Sequence, residues 1–198
     1  KQIPAALDMT LDKALAENPV LKQMHDQDSR VKDVLDMGRR LERAYNLSEA
    51  IAAMFIPSPE PDQERTSLLL LLELADSFIT YRSRYRLDPI LPLVLDLLLL
   101  DEANPRSLSF QLAAIADQLE TLPDAKASAG LAEDRRLILS LQTAIRLADV
   151  EAIVREEKGE ALERLMQEQL KLLPELSNAV ARHYFNLSSD APHRASTR

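Results

Sequence analysis

The chain has no cysteine, no tryptophan and only three glycines among its 198 residues. Without cysteine it can hold no disulfide framework, no thiolate metal ligand and no cysteine nucleophile. So few glycines leave little material for the repeated tight turns of an all-β fold. Aromatic residues make up 4% of the chain, so aliphatic side chains must fill the core. The composition therefore favours a helical protein without thiol chemistry.

Positive charge is also in short supply, with 24 Lys and Arg residues against 32 Asp and Glu, a net charge of -8. This balance offers no electrostatic footprint for nucleic acid, and we expect no nucleic-acid partner. The apolar runs Leu68–Leu72 and Ile90–Leu100 are shorter than the roughly 20 apolar residues that span a bilayer. We therefore expect no membrane association and a cytoplasmic location.

Recognisable cofactor and metal motifs are missing as well. The sequence contains no P-loop, no glycine-rich dinucleotide fingerprint and no G-x-S-x-G elbow. Its three histidines lie far apart, without a second ligand at metal-binding spacing. The sequence therefore predicts no cofactor, no metal site and no assigned catalytic residue.

The hydrophobic pattern predicts an all-α fold of six to seven helices, arranged as an up-down bundle or as stacked antiparallel pairs. We expect one domain over residues 1–187 and a disordered tail over 188–198. A loop is expected at Pro123–Gly130, and Pro174 should kink or divide the last helix. The predicted helices are Leu7–Glu17, Ser29–Phe55 with Ser29 as N-cap, Asp62–Tyr85, Pro89–Leu100 with Asp88 as N-cap, Pro105–Leu122, Leu131–Val154 and Glu160–Phe185.

Gly38 stands in the middle of the apolar seam of the second predicted helix. Glycine in a helix interior costs roughly 1 kcal/mol relative to alanine. The simplest compensation is the close approach of a neighbouring backbone, and we predict such a contact at Gly38.

Three polar segments are candidates for a site, and the first lies on the same helix. Arg39, Glu42, Arg43 and Asn46 recur at spacings of three and four, so they share one flank. One interpretation is a solvated face with weak ion pairs. The other is a buried polar cluster in which Glu42 pairs with an arginine from elsewhere and fixes helix register.

The second segment closes the third predicted helix. Asp76, Thr80 and Arg84 follow each other at steps of four, on one face of a continuous helix, with Tyr81 and Arg82 nearby. These residues either mark the polar end of an apolar helix or bind a carboxylate, phosphate or amide group, which arginine can hold bidentately.

The third segment contains Asp101, Asn104, Arg106 and Ser107. It has the pattern of a turn between helices, with Asn104 as N-cap and Pro105 at the first helical position. The helix dipole opposes a cation at that end. We therefore expect Arg106 to have a partner, either Asp101 or Glu102.

Together and in this order, the three segments resemble the alpha-E domain family, an all-helical family with a Glu-Arg motif. The resemblance rests on the stretches 36–44, 76–85, 94–101 and 104–112 and covers about Val31 to Leu122, with a looser match at Ala181–Phe185. Glu42-Arg43 corresponds to the motif. The family pattern includes an earlier half with a second Gly-Arg-x-x-Glu-Arg stretch, and this chain has one such stretch. The chain therefore resembles the C-terminal part of a longer alpha-E protein.

The resemblance implies a context in peptide or amide bond chemistry. Such domains occur beside, or fused to, an ATP-grasp-like ligase, often with a transglutaminase-like protein nearby. The favoured hypothesis is a noncatalytic helical partner or scaffold for that ligase, because the sequence shows no nucleophile–base pair and no metal set. The alternative is a helical enzyme or ligand-binding domain acting on peptide-like or carboxylated substrates, with Glu42 as general base and Arg82 or Arg106 stabilising an oxyanion.

Overall fold

The structure, a computed structural model, describes residues 19–56, 59–121, 131–156 and 159–189. Over these ranges the regular backbone is helical and contains no strand, which confirms the all-α prediction. The predicted helix Leu7–Glu17, the predicted loop Pro123–Gly130 and residues 190–198 of the predicted tail lie outside the described residues. The elements are α1 Pro19–Phe55, α2 Pro61–Leu74, α3 Phe78–Tyr85, α4 Leu91–Leu95, the π-helical turn π1 Asp96–Leu100, α5 Leu108–Thr121, α6 Glu133–Arg146, α7 Val150–Arg155 and α8 Glu160–Ser189.

Helix α1 begins earlier than the sequence suggested. Ser29 lies inside the continuous helix Pro19–Phe55, so the prediction of an N-cap at Ser29 is wrong. Residues 20–30 contain neither glycine nor proline, so nothing in this stretch interrupts the helix. Serine can cap a helix, but it also occurs inside a helix when the residues before it are helical, as they are before Ser29.

The predicted helix Asp62–Tyr85 is broken in two. Helix α2 ends at Leu74 and α3 begins at Phe78. Between them Asp76 has a φ of 48°, in the left-handed region. A residue in that region cannot continue a right-handed helix. The prediction that Asp76 shares a helix face with Thr80 and Arg84 is therefore wrong.

The start of α4 also differs from the prediction. The helix begins at Leu91 after the extended residue Ile90, and not at Pro89 with Asp88 as cap. The hydroxyl of Tyr81 donates to the backbone oxygen of Asp88 at 3.2 Å and accepts from the nitrogen of Ile90 at 3.3 Å. This pair of bonds anchors the connection to the buried Tyr81 before the helix starts.

Helix α5 begins after Ser107 and not after Asn104. The Ser107 Oγ accepts a hydrogen bond from the backbone nitrogen of Phe110 at 3.0 Å, the usual bond of a serine N-cap. Asn104 instead accepts from the nitrogen of Arg106 at 3.1 Å, which makes a turn before the helix. The predicted cap is therefore displaced by three residues.

The last two predicted helices have opposite outcomes. The predicted helix Leu131–Val154 is two helices, and Asp149 caps α7 by accepting from the nitrogen of Ala152 at 3.0 Å. By contrast, Pro174 lies inside one continuous helix α8 and does not divide it. The helix extends through Ser189, so it includes Ser188, the first residue of the predicted tail.

Leucine and isoleucine dominate the core, as the scarcity of aromatics requires. Helix α6 packs against both α5 and α8, and π1 packs against α5. The chain forms two compact units, Lys1–Met37 and Gly38–Arg198, and every candidate site residue lies in the second. The most fully buried aliphatic residues of that unit include Ile51, Leu68, Leu71, Leu72, Leu95, Leu97, Leu98, Leu99, Leu108 and Leu112.

Gly38 does not have the predicted packing role. A Cβ atom added at Gly38 would meet no heavy atom within 4 Å in the described structure, so no neighbouring backbone requires glycine there. The expectation of close helix–helix approach at this position is wrong. Gly38 instead lies in the wall of an open groove between α1 and α8.

Candidate functional site

The polar residues singled out in the sequence separate into three groups. Some are buried and hold the connections around α3 and π1. Others form exposed ion pairs at the surface. A third set lines an open cleft between α1, α2 and the start of α5.

Asn104 is the centre of the buried group, with 3% of its surface exposed. Its Nδ2 donates to the backbone oxygen of Leu97 at 3.1 Å and to the Oγ of Ser77 at 3.4 Å. Its Oδ1 accepts from the backbone of Arg106. One side chain therefore connects π1, the residue before α3 and the turn that leads into α5.

Ser107 completes the same connection. Its Oγ donates to the backbone oxygen of Asp101 at 2.6 Å while it caps α5. Ser107 is fully buried, so neither Ser107 nor Asn104 is presented to a ligand at the surface. Their geometry gives both residues a structural role.

Tyr81 is also inside the fold, with 0% of its surface exposed. Its hydroxyl is already bonded to the loop before α4, and its ring lies 4.9 Å from that of Tyr85. Of the predicted cluster, Tyr81 therefore supports the connection between α3 and α4 and does not form part of an exposed binding surface.

Two further contacts fasten α3 to π1 and to the residue that follows it. The Arg84 guanidinium bonds to the Asp101 carboxylate at 2.5 Å, and the Tyr85 hydroxyl donates to Asp96 at 3.0 Å. The bond to Asp101 raises the pKa of Arg84 above its ordinary value. Burial first, and then the bond to Asp96, raise the pKa of the Tyr85 phenol above 10.0. A higher pKa keeps the phenol of Tyr85 protonated, so its hydroxyl can donate to Asp96.

The other arginines of the cluster lie at the surface. Arg82 and Arg65 approach the carboxylate of Asp88 at 3.8 and 3.6 Å, and all three side chains are more than half exposed. Exposed pairs of this kind contribute about 0–1 kcal/mol. Thr80 and Arg39 are exposed as well. These residues offer charge and hydrogen bonds to an approaching molecule.

Arg106 has a partner, although neither of the two expected. Its guanidinium bonds to the carboxylate of Asp76 at 2.5 Å, whereas Asp101 bonds to Arg84 and Glu102 lies 3.3 Å from Arg146. The left-handed backbone at Asp76 ends α2 and brings this carboxylate to a residue 30 positions later. The local sequence around Arg106 could not identify that partner.

The open cleft has a volume of about 350 Å³. Such a volume is at the lower end of the range for small-molecule sites, roughly 300–1,000 Å³. Arg43 has no hydrogen-bond or ion-pair partner among the described residues, and its side chain is exposed. The cleft is lined by Arg43, Asn46, Leu47, Ala50, Leu71, Leu74, Ala75, Asp76, Arg106 and Gln111.

Gln111 is a polar residue of this cleft that the sequence did not identify as a candidate. It is 1% exposed, and its Nε2 donates to the backbone oxygen of Pro105 at 2.5 Å. Its Oε1 is buried and accepts no hydrogen bond. A glutamine one residue before a core leucine carries no motif, so only the three-dimensional structure reveals it.

Glu42 lies on another side of α1 from Arg43. It lines the groove that contains Gly38, together with Leu173 and Pro174 of α8. Glu42 is exposed and forms no buried ion pair among the described residues, so of the two interpretations the buried cluster around Glu42 is wrong. Glu42 and Arg106 line different depressions and are not assembled as a base and an oxyanion donor.

The described part of the chain has neither a metal-binding cluster nor a membrane-spanning helix. Over these ranges, no group of three or more histidine, aspartate or glutamate side chains is placed to hold a metal ion. None of the helices in the same ranges is both long and apolar enough to cross a membrane.

The structure is an all-helical domain in which the buried Asn104 and Ser107 hold the connection around π1. Residues 23–185 match the family Alpha-E, described as a predicted alpha-helical domain with a conserved ER motif. The chain belongs to the Alpha-E family.

Proteins of Mycobacterium bovis and of two Mycobacterium tuberculosis strains, all named as uncharacterized, are similar to this chain. Each is 29% identical over 130 residues, which is 64% of this chain and 14% of the relative. The chain thus matches about one seventh of the length of these relatives. No solved structure matches the chain.

Three Glu-Arg dipeptides lie within the family match: Glu42-Arg43, Glu64-Arg65 and Glu163-Arg164. Their arginines have different surroundings. Arg65 pairs with Asp88, and Arg164 pairs with Glu156 and Glu160. Only Arg43 of the three lines the cleft with Asp76 and Arg106.

Proposed function

We propose that this Alpha-E domain is a noncatalytic helical partner of an ATP-grasp-like ligase that makes peptide-like amide bonds in the cytoplasm. The ligase is fused to the domain or binds it as a separate chain, and a transglutaminase-like protein is a further partner. The observation that carries the proposal is the length of the relatives, because the matched segment is 14% of each. In those proteins a segment like this one is a small part of a much longer chain.

The distribution of the polar residues supports a binding role. Asn104, Ser107 and Tyr81 are buried and bonded to backbone groups, so these residues of the resemblance maintain the fold. Arg43 and Arg106 remain at the surface, on a chain with a net charge of -8. A local cationic site on an acidic protein favours one orientation of an acidic partner.

Copurification tests the proposal. We would coexpress the tagged chain with an ATP-grasp-like ligase from the same organism and measure the ligase retained by the tag. We expect near-stoichiometric retention, reduced at least several-fold by the double change Arg43→Glu and Arg106→Glu. Arg136→Glu is the matched control, because Arg136 is exposed on α6 and is not part of the cleft.

Two results would count against the partner role. Failure of the ligase to copurify when both proteins are well expressed contradicts the association itself. Equal retention by the double variant and by the wild type contradicts the assignment of the arginine surface. Circular dichroism of each variant establishes that helical content is unchanged before retention is compared.

A second candidate function is binding of peptide-like or carboxylated small molecules. The observation that favours it is the open cleft with the unpaired Arg43 and the orphaned acceptor of Gln111. The version in which Glu42 acts as a catalytic base loses support, because Glu42 lines a different depression from Arg43 and Arg106.

A further inference from the structure

We infer that the cleft of Arg43 binds the carboxyl-terminal residue of an acylated amino acid or short peptide. The ligand class is an α-carboxylate that stands next to an apolar side chain and an amide N–H. This inference deepens the second candidate function and rests on it. It is independent of whether the domain also binds a ligase.

The charges of the cleft select a single negative group. Three charged side chains line it, and the contact between Asp76 and Arg106 neutralises one of the two arginines. The positive charge of Arg43 is left without a partner among the described residues. A carboxylate matches the planar guanidinium group through two parallel hydrogen bonds.

The pair of Asp76 and Arg106 also gives the cleft a fixed polar edge. Asp76 is the left-handed residue of the break between α2 and α3, and Arg106 lies in the turn that Asn104 organises. Both residues therefore adjoin buried ones, Ser77 and Asn104, while their exposed side chains bond to each other. A site built on supported elements keeps its geometry before the ligand arrives.

The wall of the cleft is apolar. Leu47 and Leu71 are buried within it, whereas Leu74 is 64% exposed although it lines the same depression. A ligand with an apolar side chain would cover Leu74 and remove its surface from water, which favours binding. A small polar anion such as acetate would leave that surface uncovered.

Gln111 is the reason why the ligand should carry an amide N–H. Its Oε1 is buried and has no donor in the described structure, and such an acceptor is costly. Its Nε2 is bonded to Pro105, so the amide is held with the oxygen as the free group. Gln111 lines the cleft, so a ligand N–H that reaches this acceptor would satisfy it while the bond to Pro105 is kept.

These features together describe one ligand chemistry. The carboxylate meets Arg43, the apolar side chain meets Leu74, and the amide N–H meets Gln111. An acylated amino acid and a peptide C-terminus both carry these three groups. A free amino acid has an ammonium group in place of the amide, and an amidated peptide lacks the carboxylate.

The test is a titration of the full chain, followed by amide chemical shifts and by calorimetry. N-acetyl-L-leucine is the probe, and N-acetyl-L-leucinamide, L-leucine and acetate are the comparison ligands. We expect N-acetyl-L-leucine to bind about tenfold or more tightly than the amidated probe, since hydrogen bonds to charged groups are worth a factor of that order. L-leucine and acetate should bind more weakly than N-acetyl-L-leucine.

Arg43→Gln is the decisive variant, because Arg43 is exposed and unpaired and its replacement leaves the core intact. Arg39→Gln is the matched control, an exposed arginine one turn away on α1 that does not line the cleft. We expect Arg43→Gln to weaken N-acetyl-L-leucine binding roughly tenfold or more. Arg39→Gln should weaken it less than Arg43→Gln does, because Arg39 does not line the cleft.

Several outcomes would overturn the inference. No binding of N-acetyl-L-leucine at millimolar concentration removes the site, and equal loss in both arginine variants shows a nonspecific charge effect. Equal affinity for acetate refutes the apolar contact, and equal affinity for L-leucine refutes the amide contact. None of these results bears on copurification with a ligase, so the two proposals fail separately.

Discussion

Replacing Asn104 by alanine should destabilise the domain, because Asn104 is buried and makes three hydrogen bonds. The change removes the donor to the Leu97 oxygen, the donor to the Ser77 Oγ and the acceptor for the Arg106 nitrogen. A typical hydrogen bond contributes about 0.5–1.5 kcal/mol, and a buried group left unsatisfied costs about 1–3 kcal/mol. We therefore expect a loss of roughly 2–4 kcal/mol in the free energy of unfolding.

This loss in the free energy of unfolding lowers the melting temperature. For a domain of this size, 1 kcal/mol shifts the midpoint by about 2–4 °C. The expected decrease for Asn104→Ala is thus roughly 4–16 °C in differential scanning calorimetry. Urea unfolding should show a lower midpoint with an unchanged slope, because the surface exposed on unfolding stays the same.

Asn178→Ala is the matched control for this experiment. Asn178 is exposed on α8, so the same chemical change there removes no buried hydrogen bond. We expect its melting temperature to equal or slightly exceed that of the wild type, since alanine is the better helix former. If Asn104→Ala melts at the temperature of this control, the reasoning that Asn104 fastens π1 to the neighbouring connections is refuted.

Three other substitutions test separate parts of the structure. Tyr81→Phe removes both hydrogen bonds of the buried hydroxyl and should cost about 1–3 kcal/mol in urea unfolding; no change would contradict the anchoring of the loop before α4. Gly38→Ala should raise the free energy of unfolding by about 0.5–1 kcal/mol, because the added Cβ meets no atom within 4 Å; a lower melting temperature would show that this space is needed. Because the pKa of Tyr85 is raised by burial and by Asp96, the folded state retains a proton that the unfolded chain loses. The stabilisation from Tyr85 is thus fully present below pH 10 and is lost as pH rises through its folded value. Absorbance at 295 nm should show a late-titrating phenol that Tyr85→Phe removes, and an unchanged late phase in that variant would refute the assignment.

The helical class was predictable because its signals are local. The scarcity of glycine, the spacing of leucines and the positions of proline all act within a few residues. The breaks were less predictable. Asp76 adopts a left-handed conformation without glycine or proline beside it, and Asp149 starts a new helix within an amphipathic stretch. The break at Asp76 is closed by backbone bonds from Asp76 to Glu73 and from Ser77 to Leu72, and the start at Asp149 by a side-chain cap on Ala152. Hydrophobic periodicity, on which the helix predictions relied, does not register either feature.

The candidate site was predictable only in part. The sequence identified Arg43, Asp76 and Arg106 as polar candidates, and the structure brings these three to one cleft. It could not distinguish them from Asn104 and Tyr81, which are buried and bonded to backbone groups. Exposure separates a binding residue from a structural one, and exposure is a property of the packed chain.

By itself the amino-acid sequence determined an acidic, cysteine-free, helical protein and the order of its polar segments. The tertiary structure alone decided that Asp76 meets Arg106 across 30 residues and that Asn104 meets Ser77 across 27. The physical reason is the separation along the chain over which each kind of interaction acts. Helix propensity and capping depend on neighbours in the chain, whereas a cleft or a buried hydrogen bond exists only once distant helices have packed.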